Sequence, residues 1–299
     1  MLEANLKIIA ELKSFLIQTA NSNELLNQFR GSEKDFTRKR KLTFERLVLL
    51  IMRLCKKTLS VEIETFFEEL NTPMTYTVSA FSLQRVKLKP SFFYAWNMVL
   101  WLNFYAAYGN RVKRWRGFRI VGCDGSSISL ITKPELEKYF GGQSNQNTSF
   151  VMAKTFYCYD VLNKMIISSQ ISPYRYGELR MAYDTIENAH IENDMLLVFD
   201  RNFSNYKIAA LLQWKEKELK YLIRAKDSLN FVKEFIRSKK KSAVIDIYPS
   251  PASIDGLREC GYIVTKDTPL KTRLVRVKLS TGKIEVLMTN LWEEEGYAA

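Results

Sequence analysis

The spacing of apolar residues changes once, near Gly117, and that change limits the fold more than any other feature of the chain. Before it, apolar residues recur at the three-to-four-residue interval of one helix face. This spacing predicts helices over Leu2–Gln18, Thr43–Lys57, Ser60–Leu70, Ser79–Lys87 and Ser91–Tyr108. Thr43, ahead of Phe44-Glu45-Arg46, supplies a capping hydroxyl, and Pro90-Ser91 separates two helical runs. No strand is needed in this part. After Gly117 short apolar runs predict strands at Phe118–Cys123, Ser127–Ile131, Val151–Asp160 and Met165–Ile171, the last two turning through Leu162-Asn163-Lys164. A helix Glu178–His190, a strand Leu196–Asp200, a helix Ser204–Lys217 and a strand Lys220–Arg224 follow.

An antiparallel meander followed by helix, strand, helix and strand requires a mixed sheet covered by helices, so the fold class is α/β. From Ser242 to Asn290 strands return at Ala243–Tyr248, Gly261–Thr265, Thr272–Leu279 and Lys283–Thr289, which reads as a β-rich insertion. The expected organisation is a helical region at 1–117, a mixed-sheet core at 118–240, and the insertion with the chain's end at 241–299.

The charge points to a polyanionic partner. The 299 residues carry a formal charge of +13, unusual for an enzyme of small substrates. The excess is uneven, with 19 Lys and Arg against 10 Asp and Glu in residues 1–117 and 26 against 22 in residues 118–299. Residues Arg30–Lys57 alone hold ten basic and three acidic side chains, around Arg38-Lys39-Arg40-Lys41. That run reads either as a solvated helix entrance or as a contact to DNA, and the surrounding excess favours DNA. Cys55, Cys123, Cys158 and Cys260 are widely spaced and the chain has one His, His190, so the sequence offers no structural zinc pattern. His190 closes a predicted helix, where it suits the C-terminal end of the dipole. The N-terminal segment mixes Glu3, Lys7, Glu11 and Lys13 among apolar positions and reads as an amphipathic helix, not a signal peptide. The longest apolar stretch, Phe92–Tyr108, contains Asn97 and Asn103 and is shorter than the ~20 residues of a membrane span. Phe92, Phe93, Trp96 and Trp101 within it have the spacing of core residues, and Trp115, within Arg111-Val112-Lys113-Arg114-Trp115-Arg116, reads as linker packing in preference to stacking on a base.

Asp124 and Asp200 each end a strand-like apolar run, in Phe118-Arg119-Ile120-Val121-Gly122-Cys123-Asp124 and Met195-Leu196-Leu197-Val198-Phe199-Asp200. Carboxylates at the ends of buried strands are rigidly held yet reach the surface, as two converging metal ligands must. Each also has a plainer reading. Asp124-Gly125-Ser126 suits a turn between two strands, and Asp200 with Ser204 suits a helix cap. Arg201 is placed equally well for a phosphate or for a salt bridge.

Taken together, several stretches resemble the DDE transposases of bacterial insertion sequences, of the IS-four type. These are Phe36-Thr37-Arg38-Lys39-Arg40-Lys41-Leu42, Val78–Lys87, Asp124-Gly125-Ser126, Asp200-Arg201-Asn202-Phe203 and Met288-Thr289-Asn290-Leu291. The resemblance covers nearly the whole chain. It implies an RNase H-like core with the first Asp on the first strand, the second after the fourth, and a β insertion before a helix bearing the third catalytic carboxylate. Asp124 and Asp200 would then be catalytic ligands of Mg²⁺, with Mn²⁺ as an alternative and no other cofactor. Arg38, Lys39, Arg40, Lys41 and Arg201 would contact DNA.

The implied partners are transposon ends and target duplex, with room for a homodimer on DNA and no membrane. The implied location is the cytoplasm of a bacterium, at the nucleoid. The chain departs from the family in two ways. Asn202 stands where Gly is common, and the sequence ends before the helix that would carry the third carboxylate, so that helix is expected to be missing and activity to be low or absent. The rival readings are a transposon-end DNA-binding protein without catalysis and an RNase H-like nuclease.

Overall fold

The computed structural model describes residues 2–38, 40–53, 57–71, 76–144, 149–216 and 218–297. The chain divides into two compact units between Arg111 and Val112, somewhat before the composition changes at Gly117.

The first unit is helical: α1 Leu2–Asn21, α2 Asn23–Phe29, α3 Phe44–Arg53, α4 Leu59–Glu69, α5 Val78–Arg85 and α6 Ser91–Tyr108. Helix α2 has no counterpart in the apolar spacing. It is set off from α1 by the Ser22 hydroxyl, which accepts from the N–H of Leu25 at 3.3 Å. Thr43 caps α3 as expected, accepting from the N–H of Arg46 at 3.3 Å. The core gathers around Phe92. Its ring is stacked on Phe15 at 5.8 Å and edge-on to Phe29 at 5.4 Å and Phe44 at 5.1 Å, geometries that aromatic quadrupoles favour. Trp96 donates from Nε1 to the carbonyl of Leu12 at 3.0 Å, holding α6 against α1. Among the described residues no helix is long and apolar enough to cross a membrane.

The second unit is a mixed α/β structure built on one sheet. Its strands are β1 Arg119–Ser129, β2 Gly142–Ser144, β3 Ser149–Asp160, β4 Met165–Pro173, β5 Met195–Phe199, β6 Lys220–Arg224, β7 Ser242–Ile247, β8 Leu270–Lys278 and β9 Ile284–Thr289. Strands β1, β3 and β4 form the antiparallel meander, while β5 and β6 run parallel to β1. The order β4-β3-β1-β5-β6 with those directions is that of an RNase H-like core. Helices α7 Pro134–Phe140, α8 Glu178–Asn188, α9 Tyr206–Gln213, α10 Asn230–Arg237 and α11 Pro251–Glu259 complete the unit. Helices α8 and α9 pack over the face carrying Val121, Cys123, Phe156 and Leu197, all buried. There Gln170 donates to Thr185 Oγ1 at 2.8 Å. On the opposite face of the meander Tyr157, Tyr159, Ile166 and Ile171 are exposed.

The β-rich segment expected at 241–299 joins the main sheet: β9 pairs antiparallel with β6, and β8 and β7 extend it. Two expectations are corrected here. Gly261–Thr265 is not a strand. The chain folds just before it into α11, entered through Pro251 and capped by Ser250, whose hydroxyl accepts from the N–H of Ser253. The two strands expected on either side of Asp124 are one strand, β1, paired residue by residue with β3 from Val121 to Ser129.

Candidate functional site

Because β1 runs unbroken, Asp124 lies midway along a strand and not in a turn. It alternates outward next to buried Cys123, so its carboxylate is exposed while its backbone is held in the ladder to β3, and Cys123 before it in the ladder to β5 as well. Gly125 serves a different purpose from a turn glycine. A Cβ placed there would come within 2.5 Å of Glu178 Cγ, so the residue admits the first turn of α8 against β1. Glu178 is in turn ion-paired to Lys154 at 2.9 Å.

Asp200 follows the last residue of β5, and Cys123 pairs in parallel register with Phe199. Asp124 and Asp200 therefore each come one residue after the directly paired Cys123 and Phe199 of neighbouring strands, whose backbones lie ~4.8 Å apart. Asp200 is also a cap, since its Oδ1 accepts from the N–H of Asn202 at 2.6 Å at the start of a single 3-10 turn, Arg201–Phe203. Helix α9 is capped by Asn205 instead of Ser204. Asp124 Oδ1 accepts from the N–H of Gly125 at 2.8 Å. Among the described residues no donor reaches the second oxygen of either acid. Asn202 does not use the left-handed backbone its identity allows; it serves by donating its N–H to Asp200.

The register that brings the two acids together is anchored at the far end of the same strands. Arg119 opens β1 with its side chain buried, hydrogen-bonded to both Glu192 and Asp194, the residues leading into β5. Its backbone N–H donates to the Asp194 carbonyl at 2.9 Å, and Arg114 adds an ion pair to Asp194 at 2.6 Å. Burial opposes charge on both partners, but the paired hydrogen bonds outweigh it. They raise the Arg119 pKa and hold the Asp194 carboxyl below the usual range. This network escaped the sequence reading, although an Arg set inside the apolar run Phe118-Arg119-Ile120-Val121 was a signal for it. Beneath the acids, Cys123 and Cys158 lie directly opposite each other with sulfurs 3.3 Å apart, and burial pushes the Cys123 thiol well up.

The donor set suits two ligands of a hard, oxygen-seeking divalent cation. Among the described residues no group of three or more His, Cys, Asp or Glu side chains is placed to hold one. Arg201 is exposed directly after Asp200. Arg38, Arg40 and Lys41 are exposed in the helical unit between α2 and α3, while Lys39 and Cys55 lie outside the described residues. His190 sits beyond the end of α8, with Nε2 3.6 Å from Glu192. Met288-Thr289-Asn290-Leu291 is a buried clamp. Asn290 accepts from the N–H of Tyr221 at 2.9 Å and donates to the Leu219 carbonyl at 3.0 Å and to Glu218 at 2.7 Å.

No protein-family model matches the chain, and no curated protein matches it. Among solved structures the chain is similar to a piggyBac transposase in a synaptic complex with hairpin DNA, at 12% identity and a TM-score of 0.38. That similarity covers 81% of this chain and 50% of the other, so the chain spans about half the length of that protein.

Proposed function

We propose that the chain is a DNA transposase of the DDE kind, of the insertion-sequence type its motifs resemble, with Asp124 and Asp200 as carboxylate ligands of Mg²⁺ or Mn²⁺. The observation that supports this most is the placement of the two acids, each exposed and one residue past the paired Cys123 and Phe199 of parallel β1 and β5 in an RNase H-like sheet. A divalent cation held there supplies charge stabilisation to the attacking and leaving oxygens at phosphorus. Within the chain, the hydrogen bonds from the N–H groups of Gly125 and Asn202 fix the orientation of the Asp124 and Asp200 carboxylates. Arg201 offers an exposed guanidinium to a DNA phosphate beside them. Arg38, Lys39, Arg40 and Lys41 supply sequence-independent attraction to the duplex, through release of counterions from its phosphates.

Two carboxylates fill only part of the coordination shell of such a cation. A second reading is a DNA-binding protein without catalysis, which the basic excess before Gly117 supports by itself.

Mn²⁺ titration followed by electron paramagnetic resonance tests the site directly. Wild-type protein is expected to take up Mn²⁺, and Asp124→Asn and Asp200→Asn each to abolish that uptake while leaving duplex binding in EDTA intact. Equal Mn²⁺ uptake by all three proteins would remove the pair from any metal site.

A further inference from the structure

The helical unit carries a basic concavity made from two segments far apart in sequence. Lys34, Phe36, Thr37, Arg38 and Arg40 come from the segment between α2 and α3, and Lys87 from the end of α5; together they line a cavity of about 310 Å³. The chain builds this shape deliberately. Phe36 takes a left-handed backbone, φ 61°, and anchors its ring edge-on to Phe44 at 5.4 Å. An unusual backbone at a bulky residue persists only where the surroundings hold it. The segment is clamped to the end of α5 by backbone hydrogen bonds from Gly31 N–H to the Lys87 carbonyl and from Lys89 N–H to the Phe29 carbonyl, both 2.8 Å. Lys87 is half-buried and steadied by Gln84 Oε1 at 3.0 Å, with Asp35 Oδ1 3.9 Å away. Among the described residues no carboxylate forms an ion pair with Lys34, Arg38 or Arg40. Four basic side chains thus line one concavity, with Lys87–Asp35 the one ion pair they make among the described residues, and the remaining positive charge calls for an anion.

We propose that this concavity is a phosphate site that takes a phosphodiester of duplex DNA, with Lys34 and Lys87 as ligands alongside Arg38 and Arg40. A fixed cluster of cations holds one phosphate in place, positioning the duplex without reading its sequence. The assignment rests on the reading of the chain as a protein that acts on DNA, and it is independent of the Asp124 and Asp200 site.

The experiment measures binding of the full chain to a short fluorescent duplex in EDTA across a salt series. The expected result is that Lys87→Gln and Lys34→Gln each weaken binding severalfold and flatten the slope of log affinity against log salt by up to about one unit. Lys7→Gln, an exposed change on α1, is the control and should leave the slope alone. Circular dichroism melts confirm that each variant is folded. If Lys87→Gln and Lys34→Gln match Lys7→Gln, the phosphate site is overturned while the DNA reading stands. If the wild-type protein itself shows no salt-dependent duplex binding, the DNA reading falls. A variant that loses binding of inorganic phosphate yet keeps the wild-type duplex slope would also overturn the proposal, by making the ligand a free anion.

Discussion

Glu178 lies over Gly125, so that a methyl group on the glycine would fall 2.5 Å from the Cγ and 2.8 Å from the Cδ of the glutamate. The glycine beside Asp124 is therefore a contact point between β1 and the start of α8. It ties the position of one candidate ligand to the packing of a helix on the other face of the sheet.

Gly125→Ala is expected to destabilise the fold by about 1–3 kcal/mol, the usual cost of overpacking, read as a lower midpoint in a urea titration. Because the clash is with one side chain, Glu178→Ala should recover most of the loss. The double variant would then be more stable than the sum of the singles predicts. Additive losses would show that the strand itself, not Glu178, rejects the methyl group.

Asn290→Leu should be among the more damaging single changes in the second unit. Asn290 is wholly buried, and its amide completes the hydrogen bonding of Tyr221 and Leu219 where β6 and β9 begin to part. Leaving those backbone groups unpaired costs roughly 1–3 kcal/mol each. Hydrogen exchange at the Tyr221 amide provides a local reading. Protection there should fall in the variant, and unchanged protection would show that another group takes over the bond.

Asp194→Asn should weaken the anchor of β1 to β5 by roughly 2 kcal/mol. That is below the loss for a fully buried pair, because Asp194 is partly exposed and Glu192 still faces Arg119. The folded-state pKa of Asp194 is lowered, so its contribution is fully present above the unfolded value near 4 and is lost as pH falls through the folded value. The stability gap between wild type and variant should accordingly be constant above about pH 5 and narrow at lower pH. A gap that widens on acidification would contradict the ion-pair account.

Much of the molecule was legible where one segment carries one clear period. Helix α6 and strand β6 occur over the residues the apolar spacing marks, because a segment that buries one face repeats its apolar residues at the interval of its own backbone. The short helices α7, α10 and α11 were not legible, being too brief for a periodic signal to stand out from alternation. Asp124-Gly125-Ser126 misled for a related reason. A strand interior and a turn both tolerate Asp, Gly and Ser, and what decides between them is the long ladder to β3.

The sequence by itself determined the helical first unit, the mixed sheet of the second, the basic excess before Gly117, and two acids that each follow a buried apolar run. Tertiary structure alone decided that β7, β8 and β9 extend the main sheet, that Asp124 and Asp200 each follow a paired residue of adjacent parallel strands, and that Lys87 closes a concavity with Lys34, Arg38 and Arg40. The division has a physical cause. Local periodicity records which side of a segment is buried, whereas register and strand order depend on pairings between residues far apart, such as Arg119 with Asp194.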